Sequence, residues 1–342
     1  MIKEKHIAII GTGIAGMETA LLLSQAGYRV TILEKENQPG GHVKNWHCLF
    51  PDFSNSDEIL NRYETLFSTK KIKLITGTKV NKICRNDNSW TLNATDELTL
   101  KADAVVISTG FNVFDATLKE EYGYKIFENV ITSADLEKKF KSGKSITTSN
   151  GLIPKRIAII HCVGSRDAKV GNVYCSKICC ITGIKQAIEL NKLLPESEIY
   201  CFYIDLRLYG SKFDELYLKA QKDHNIQFIR GRLSEASENS DKSLQIKAED
   251  TLSGLPIRMN VDLMILLIGM EPGINPKTFD FNDVLKQDKN GFLESKHIHL
   301  SRNNTTQNGL FLSGSCLCPM PVNETLENAR SCAFEVIKYL KN

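Results

Sequence analysis

The chain has 342 residues, enough for about two domains at ~150 residues each. Hydrophobic residues make up 42% and charged residues 24%, with a mean hydropathy of −0.21, which excludes a mainly disordered chain. Against 43 basic residues stand 40 acidic ones, a formal charge of +3, so no strong basic field argues for nucleic acid.

The longest apolar run lies near Met264–Met270, far short of the ~20 residues that cross a bilayer. At the N-terminus, Met1-Ile-Lys-Glu-Lys-His, Ile7–Ile10 is the only apolar stretch before Gly11. That is too short for a signal peptide, so a cytoplasmic protein is expected. Ten cysteines are about 3% of the chain, well below a disulfide scaffold. In a cytoplasmic protein, clustered cysteines lean toward metal or redox chemistry. Here Cys162, Cys175, Cys179 and Cys180 sit together, and Cys316 and Cys318 form a second group. Cys48, Cys84, Cys201 and Cys332 share no ligand spacing and read as buried packing residues.

In chain order, His6–Ile10 reads as a strand ending at Gly11. Gly16–Ala26 reads as a helix stopped by Gly27, and Tyr28–Leu33 as a second strand ending at Glu34. This strand–turn–helix–strand unit is the first half of a dinucleotide fold. Lys79–Ile83, Trp90–Ala94 and Leu98–Leu100 predict short antiparallel strands, and Ala104–Ile107 a further strand before Thr109-Gly110. The polar stretch Phe111–Asn150, with a helix around Ala134–Phe140, reads as a connection between domains. Then Ile157-Ala-Ile-Ile160 repeats Ile7-Ala-Ile-Ile10. A helix is expected over Ser176–Leu194, strands over Glu198–Leu206 and Leu263–Ile268, and a final helix over Asn323–Leu340. The fold class is therefore α/β, with two tandem dinucleotide-type (Rossmann-type) units. The expected boundaries are 1–115 with 265–342 for the first domain and 116–264 for the second.

Gly11-Thr-Gly13-Ile-Ala-Gly16 matches GxGxxG. Gly11 permits the tight turn, Gly13 the approach of a pyrophosphate, and Gly16 close packing of the helix on the sheet. The helix N-terminus offers free N–H groups and the positive end of its dipole. Glu34 is placed to accept from a ribose hydroxyl. A glycine turn without a ligand is the bland alternative. Pro39-Gly40-Gly41, Thr109-Gly110 and Gly309-Leu-Phe-Leu-Ser-Gly314 resemble features of flavoproteins of the glutathione reductase type, a resemblance that implies FAD over NAD. The Asp usual after the late glycine is replaced by Ser315, and Asn323 would open a helix aimed at the flavin.

Aligning the two Ile-Ala-Ile-Ile strands puts Gly11, Gly13 and Gly16 on His161, Val163 and Arg166. A Cβ at each position obstructs close phosphate approach, so the second unit's nucleotide loop reads as disabled. Cys162 occupies it instead. With Cys175 and Cys179 at i, i+4 on one helix face and Cys180 turned further round, Cys162-x12-Cys175-x3-Cys179-Cys180 can surround a compact group. Four thiolates fit a [4Fe–4S] cluster. Structural zinc prefers C-x2-4-C knuckles, and a redox disulfide over Cys175-x4-Cys180 is a further alternative. His42 and His47 lack metal spacing and read as loop residues, and Cys316 and Cys318 as ordinary thiols.

Several motifs resemble the HdrA family, the FAD-binding component of heterodisulfide reductase. They are His161-Cys-Val-Gly-Ser-Arg-Asp167, Tyr174-Cys-Ser-Lys-Ile-Cys-Cys180, Ile184-Lys-Gln-Ala187, Glu121-Tyr-Gly-Tyr124, Asn129-Val-Ile-Thr-Ser133, Tyr203-Ile-Asp-Leu-Arg207 and Val261–Gly269. The resemblance covers nearly the whole chain. It implies a thioredoxin reductase-like flavoprotein with FAD in the first domain and a [4Fe–4S] cluster held by Cys162, Cys175, Cys179 and Cys180 in the second. The implied FAD contacts are Gly11, Gly13, Ile14, Ala15, Gly16, Glu34, Lys35, Gly40, Gly41, His42, Val80, Thr109, Gly110, Gly314, Ser315, Val322 and Asn323.

In that family a lysine equivalent to Lys185 sits near the flavin, which makes Lys185 the candidate catalytic residue; a solvated helix lysine is the alternative. The chain has no C-x2-C-x2-C-x3-C-P run, unlike long members. It is similar to the short form found in heterodisulfide reductase-like complexes of bacterial sulfur oxidation, and the quinone-interacting oxidoreductases of sulfate reducers are related. The resemblance implies electron transfer between FAD and the cluster, cysteine-rich and ferredoxin-like partner subunits, and a homodimer. The competing function classes are a free-standing NAD(P)H disulfide reductase and a purely structural docking component.

Overall fold

The computed structural model describes residues 5–67, 72–87, 89–274 and 285–341. In chain order come β1 (His6–Ile10), α1 (Ile14–Gln25), β2 (Arg29–Leu33), α2 (Ser56–Phe67), β3 (Ile72–Ile75), β4 (Val80–Asn86), β5 (Ser89–Ala94), β6 (Thr99–Ala102) and β7 (Ala104–Ile107). Then follow β8 (Phe111–Val113), β9 (Val130–Thr132), α3 (Ser133–Lys141), β10 (Arg156–Val163), α4 (Cys179–Leu193), β11 (Glu198–Tyr203), α5 (Phe213–Lys222) and β12 (Gln227–Arg230). The remaining elements are β13 (Leu233–Glu238), β14 (Leu244–Asp250), β15 (Leu255–Val261), β16 (Leu263–Ile268), β17 (Met270–Pro272), β18 (Leu310–Leu312) and α6 (Val322–Lys341).

The chain forms two compact units. The first comprises residues 1–44, 56–112 and 271–342, the second residues 45–55 and 113–270. In the first, a parallel sheet runs β18-β7-β1-β2-β3, with Ile7 level with Val30 on one side and Ala104 on the other. Both faces of this sheet are covered, which is why β1 and β7 are unbroken apolar runs rather than alternating ones. On one face Ala20 and Leu23 of α1 and Cys332, Ala333 and Val336 of α6 pack on Ile7, Ile9 and Ile32. On the other, Ile83, Trp90 and Leu92 of the antiparallel β4-β5-β6 layer pack on Val105, Ile107 and Leu312. Because β1 is central and its neighbours β2 and β7 lie on opposite sides, its carboxyl end is a topological switch point, where open α/β sheets bind ligands.

The second unit repeats the plan. Its parallel sheet runs β12-β11-β10-β16-β9, with β10 central and Ile157 level with Ile199 and Leu263. Helices α3, α4 and α5 cover one face through Leu136, Ile184, Ile188 and Leu216, and the antiparallel β13-β14-β15 layer covers the other through Leu233, Ile246 and Val261. The repeated Ile-Ala-Ile-Ile thus forms the central strand of each sheet. The stretch expected as a connection, Phe111–Asn150, is instead largely part of this unit. It supplies β9, which pairs with β16, and buries Phe114, Tyr122 and Val130 in the core. Its polar composition hid three short apolar anchors separated by turns.

Candidate functional site

In the first unit, Gly11 closes β1 at φ +104°, and its N–H reaches the Leu33 carbonyl at 2.8 Å. A Cβ there would lie 2.5 Å from the Ser108 carbonyl oxygen, and one at Gly16 only 2.1 Å from the Gly11 oxygen. These two glycines are fixed by packing. Gly13 differs: its φ is an ordinary −64°, and a Cβ would meet nothing within 4 Å among the described residues. It is the N-cap of α1 and provides no side-chain cap. The first N–H groups of α1, at Ile14, Ala15 and Gly16, therefore stand beside open space, the arrangement that receives a phosphate.

Other expected residues converge on this turn. Gly40 donates to the Thr12 carbonyl at 3.0 Å, and a Cβ on Gly41 (φ +56°) would lie 2.9 Å from Gly13 Cα. Gly314 comes so close to Ala15 that its Cβ would lie 2.6 Å from that of Ala15. Buried Glu34 accepts from the Thr12 N–H at 2.8 Å and hydroxyl at 2.5 Å, and from the Glu36 N–H at 2.9 Å. Its remaining lone pairs suit ribose hydroxyls. The buried Thr109 hydroxyl has no hydrogen-bond partner among the described residues. A Cβ on Gly110, at φ +64°, would meet nothing within 4 Å among the described residues.

His42 stacks on Phe111 at 4.1 Å and 17°, with Nε2 2.7 Å from the Phe111 carbonyl. Burial lowers its pKa, so at neutral pH the ring donates from Nε2 and keeps an acceptor at Nδ1. Val80 and Ser315 are buried, Val322 opens α6, and Lys35 and Asn323 are exposed. A glycine cradle, a bare helix start, an orphaned hydroxyl and a poised carboxylate together fit a dinucleotide such as FAD.

In the second unit the corresponding turn is built differently. A bulge interrupts β10 between Ile160 and Val163, and Cys162 sits there at φ +60°, a left-handed conformation unusual for a residue with a Cβ. Gly164 (φ +70°) is covered by Phe114, whose ring would meet a Cβ at 2.0 Å. Beside it His161 is buried, its two ring nitrogens without hydrogen-bond partners among the described residues, and burial alone pushes its pKa down to about 3.

Cys179 and Cys180 occupy the first turn of α4, while Cys175 precedes the helix. The expected i, i+4 pairing of Cys175 and Cys179 on one helix face is therefore not how the thiols meet. Cys175–Ile178 is an irregular segment, with Lys177 at φ +64°, that turns Cys175 back toward the helix start. The four thiols are electrostatic neighbours. Burial pushes Cys162 up to about 12, with Cys180 and Cys175 adding to the rise. Burial likewise raises Cys179 well above the usual thiol range, helped by Cys162, Cys180 and Cys175. Cys180 is raised by burial against the Arg207 N–H.

A metal that bound here would have to displace these protons, since it binds the thiolate form. The Lys177 N–H points at Cys175 Sγ at 3.3 Å and the Arg207 N–H at Cys180 Sγ at 3.5 Å, donors suited to bound thiolates. The N-terminus of α4, without a side-chain cap, adds its dipole. One tetrahedral zinc needs sulfurs about 3.8 Å apart. Among the described residues no three of these sulfurs lie within 4.8 Å of one another.

A third cluster lies wholly in the second unit. Lys185 is 2% exposed, donates to Glu137 Oε1 at 2.6 Å and forms an ion pair with Glu189 Oε2 at 3.0 Å. It is not a solvated helix lysine. The His47 ring Nδ1 and the Cys48 thiol both contact Glu189 Oε1, at 2.9 and 2.8 Å. The backbone N–H of His47 donates to Glu137 Oε2 at 3.0 Å. Reading His47 and Cys48 as a loop residue and a packing residue missed this. The available signal was Lys185 and Glu189 at i, i+4 on an otherwise apolar helix face.

This fold, two tandem Rossmann-type units, is that of thioredoxin reductase-like flavoproteins. The T. acidophilum thioredoxin reductase superposes with a TM-score of 0.70 at 16% identity, covering 99% of this chain and 100% of that one. The Lactococcus lactis thioredoxin reductase gives 0.67 at 16% identity, covering 98% and 99%. Residues 2–137 match the pyridine nucleotide-disulphide oxidoreductase family.

In sequence the chain is a homologue of HdrA, a component of heterodisulfide reductase. It is 35% identical over 243 residues to the HdrA component of the H(2):CoB-CoM heterodisulfide,ferredoxin reductase of Methanothermobacter marburgensis, covering 70% of this chain and 37% of that one. It is 29% identical over 420 residues to the HdrA iron-sulfur subunit of the CoB--CoM heterodisulfide reductase of Methanocaldococcus jannaschii, covering 97% and 64%. The chain thus spans between about a third and two-thirds of the length of these relatives. Among the described residues no helix is long and apolar enough to cross a membrane.

Proposed function

We propose that this chain is an electron-transfer flavoprotein subunit of a heterodisulfide reductase-like complex, with FAD on the first unit and a [4Fe–4S] cluster on the second. The observation that carries this reading is the contrast between two equivalent turns. At the end of β1 the glycines leave open space against bare helical N–H groups, and at the end of β10 the same place holds Cys162 with Cys175, Cys179 and Cys180 around it. The named relatives, one of them called an iron-sulfur subunit, support it.

When bound, FAD supplies exchange of electrons in pairs and singly, and the cluster exchange of single electrons. The protein's residues do the rest. Gly13, Gly41 and the α1 N–H groups hold the pyrophosphate, Glu34 the ribose, and Thr109 and Gly110 the segment beyond it. Cys162, Cys175, Cys179 and Cys180 ligate iron, and the N–H groups of Lys177 and Arg207 stabilise the ligand charge. Lys185 is the cationic proton carrier that accompanies reduction. The expected partners are cysteine-rich and ferredoxin-like subunits and a second copy of the chain, acting in thiol and disulfide metabolism.

Anaerobic purification with flavin and iron quantified tests this reading. The expected result is one flavin and about four irons per chain. A folded, iron-free and colourless preparation would sink it. Rapid flavin bleaching by NADH or NADPH alone would favour a free-standing disulfide reductase instead.

A further inference from the structure

The cluster around Lys185 is built from three segments of the second unit: α4 gives Lys185 and Glu189, α3 gives Glu137, and the 45–55 segment gives His47 and Cys48. Its contacts form a continuous chain. His47 Nδ1 is 2.9 Å from Glu189 Oε1, Glu189 Oε2 is 3.0 Å from Lys185 Nζ, and Lys185 Nζ is 2.6 Å from Glu137 Oε1. Exposure falls along it, from 49% for the His47 side chain to 8% for Glu189 and 2% for Lys185.

From this gradient and these contacts we infer that His47 and Glu189 form a proton path joining solvent to Lys185, a proposal that rests on the proton-carrier role given to Lys185 above.

The charges support it. Glu137 and Glu189 against Lys185 leave one negative charge in a buried cluster, and a proton arriving on His47 neutralises it. The step balances without a further reagent. The His47 ring takes a proton from water and passes one from Nδ1 to Glu189 Oε1. The carboxyl group turns about its Cγ–Cδ bond and gives that proton to Nζ, after Lys185 has given up one of its own to the reduced flavin, which takes up the proton as it gains electrons. The electrons of the reduction come from the redox partner, and only protons move here.

The other groups facing the path do not compete. Glu137 is held by Lys185, by Gln186 Nε2 at 2.8 Å and by the His47 N–H at 3.0 Å. Burial pushes the Cys48 thiol up to about 12, so it keeps its proton. Lys192 sits over the Phe53 ring at 4.5 Å.

The test reduces the anaerobic, cofactor-loaded protein photochemically in weakly buffered solution and follows proton uptake with a pH-indicator dye. In H47Q, a substitution at an exposed side chain, uptake should slow at least ten-fold and be restored by added imidazole. E189Q should be as slow and not restored. Uptake at the parental rate in either variant, or slow H47Q uptake that imidazole leaves unchanged, overturns the path. K185M separates the two ideas. A K185M protein with a shifted flavin potential beside a normal H47Q removes the path alone, whereas an unshifted K185M potential removes the role of Lys185 itself.

Discussion

Lys185 Nζ lies 2.6 Å from Glu137 Oε1 in a part of the second unit where both side chains are buried. Burial works against the ammonium, yet the two carboxylates outweigh it and hold its pKa above the ordinary lysine value. The lysine therefore rests as a cation across the physiological pH range. Replacing it by Met strands Glu137 and Glu189 without a counter-charge, and breaking a buried pair from one side costs about 3–5 kcal/mol. Urea unfolding of K185M should show that loss, and adding E137Q should recover part of it. A K185M protein as stable as its parent would mean that water reaches these carboxylates.

The glycine turn yields a contrast between two similar substitutions. At Gly16 an added methyl group meets the Gly11 carbonyl at 2.1 Å, so G16A must push α1 away from β1 and cost stability. At Gly13 the same methyl group meets nothing within 4 Å and the backbone is already compatible. G13A should fold as well as the parent, yet it fills the space beside the α1 N–H groups. The expected outcome is an unchanged unfolding midpoint for the flavin-free protein with flavin affinity reduced at least ten-fold. If G13A binds flavin normally, the pyrophosphate does not lie over Gly13.

The sequence made the turn legible because a strand, three glycines and a distal acid sit in fixed register, and each has one physical job. The central strands were legible for a similar reason: Ile7–Ile10, Ala104–Ile107 and Leu263–Ile268 are buried on both faces and read as unbroken apolar runs. What stayed hidden depends on tertiary pairing. Cys175 looked helical because spacing cannot reveal that α4 starts only at Cys179. His47 and Cys48 carried no pattern of their own, since their partners are about 90 and 140 residues away. Cys84, expected to be buried, is half-buried on β4 of the antiparallel layer.

The ten cysteines divide by environment, which makes the ligand set testable one residue at a time. Cys179 is buried among three other thiols, whereas Cys201 is buried in an apolar core and Cys332 packs under the first sheet. C179A should lower iron and acid-labile sulfide to below about a quarter of the parental level, because a cluster normally takes four thiolates. C201A and C332A should keep parental iron and lose only packing energy. Loss of iron in C332A, or full iron in C179A, would place the cluster elsewhere.

Acid sensitivity should come in part from Glu18 on α1. Its carboxylate is 2% exposed and accepts from Arg330 Nε at 2.8 Å and from the Tyr63 hydroxyl at 2.7 Å, with Arg62 at 3.9 Å. Burial resists ionisation, but the hydrogen bonds from Arg330 and Tyr63 prevail and hold the Glu18 pKa below its ordinary value. A carboxyl group whose pKa is depressed by folding adds stability above the unfolded pKa, about 4.3, and loses it as pH falls through the folded one. The unfolded chain binds the proton first, so stability must decline with acid in that window. E18Q removes this component. It should cost about 1–3 kcal/mol at neutral pH, toward the low end because Arg330 is half exposed. Urea midpoints measured from pH 7 to pH 3 should fall less steeply for E18Q than for the parent below pH 4.5, and parallel curves would show that Glu18 carries no linked proton.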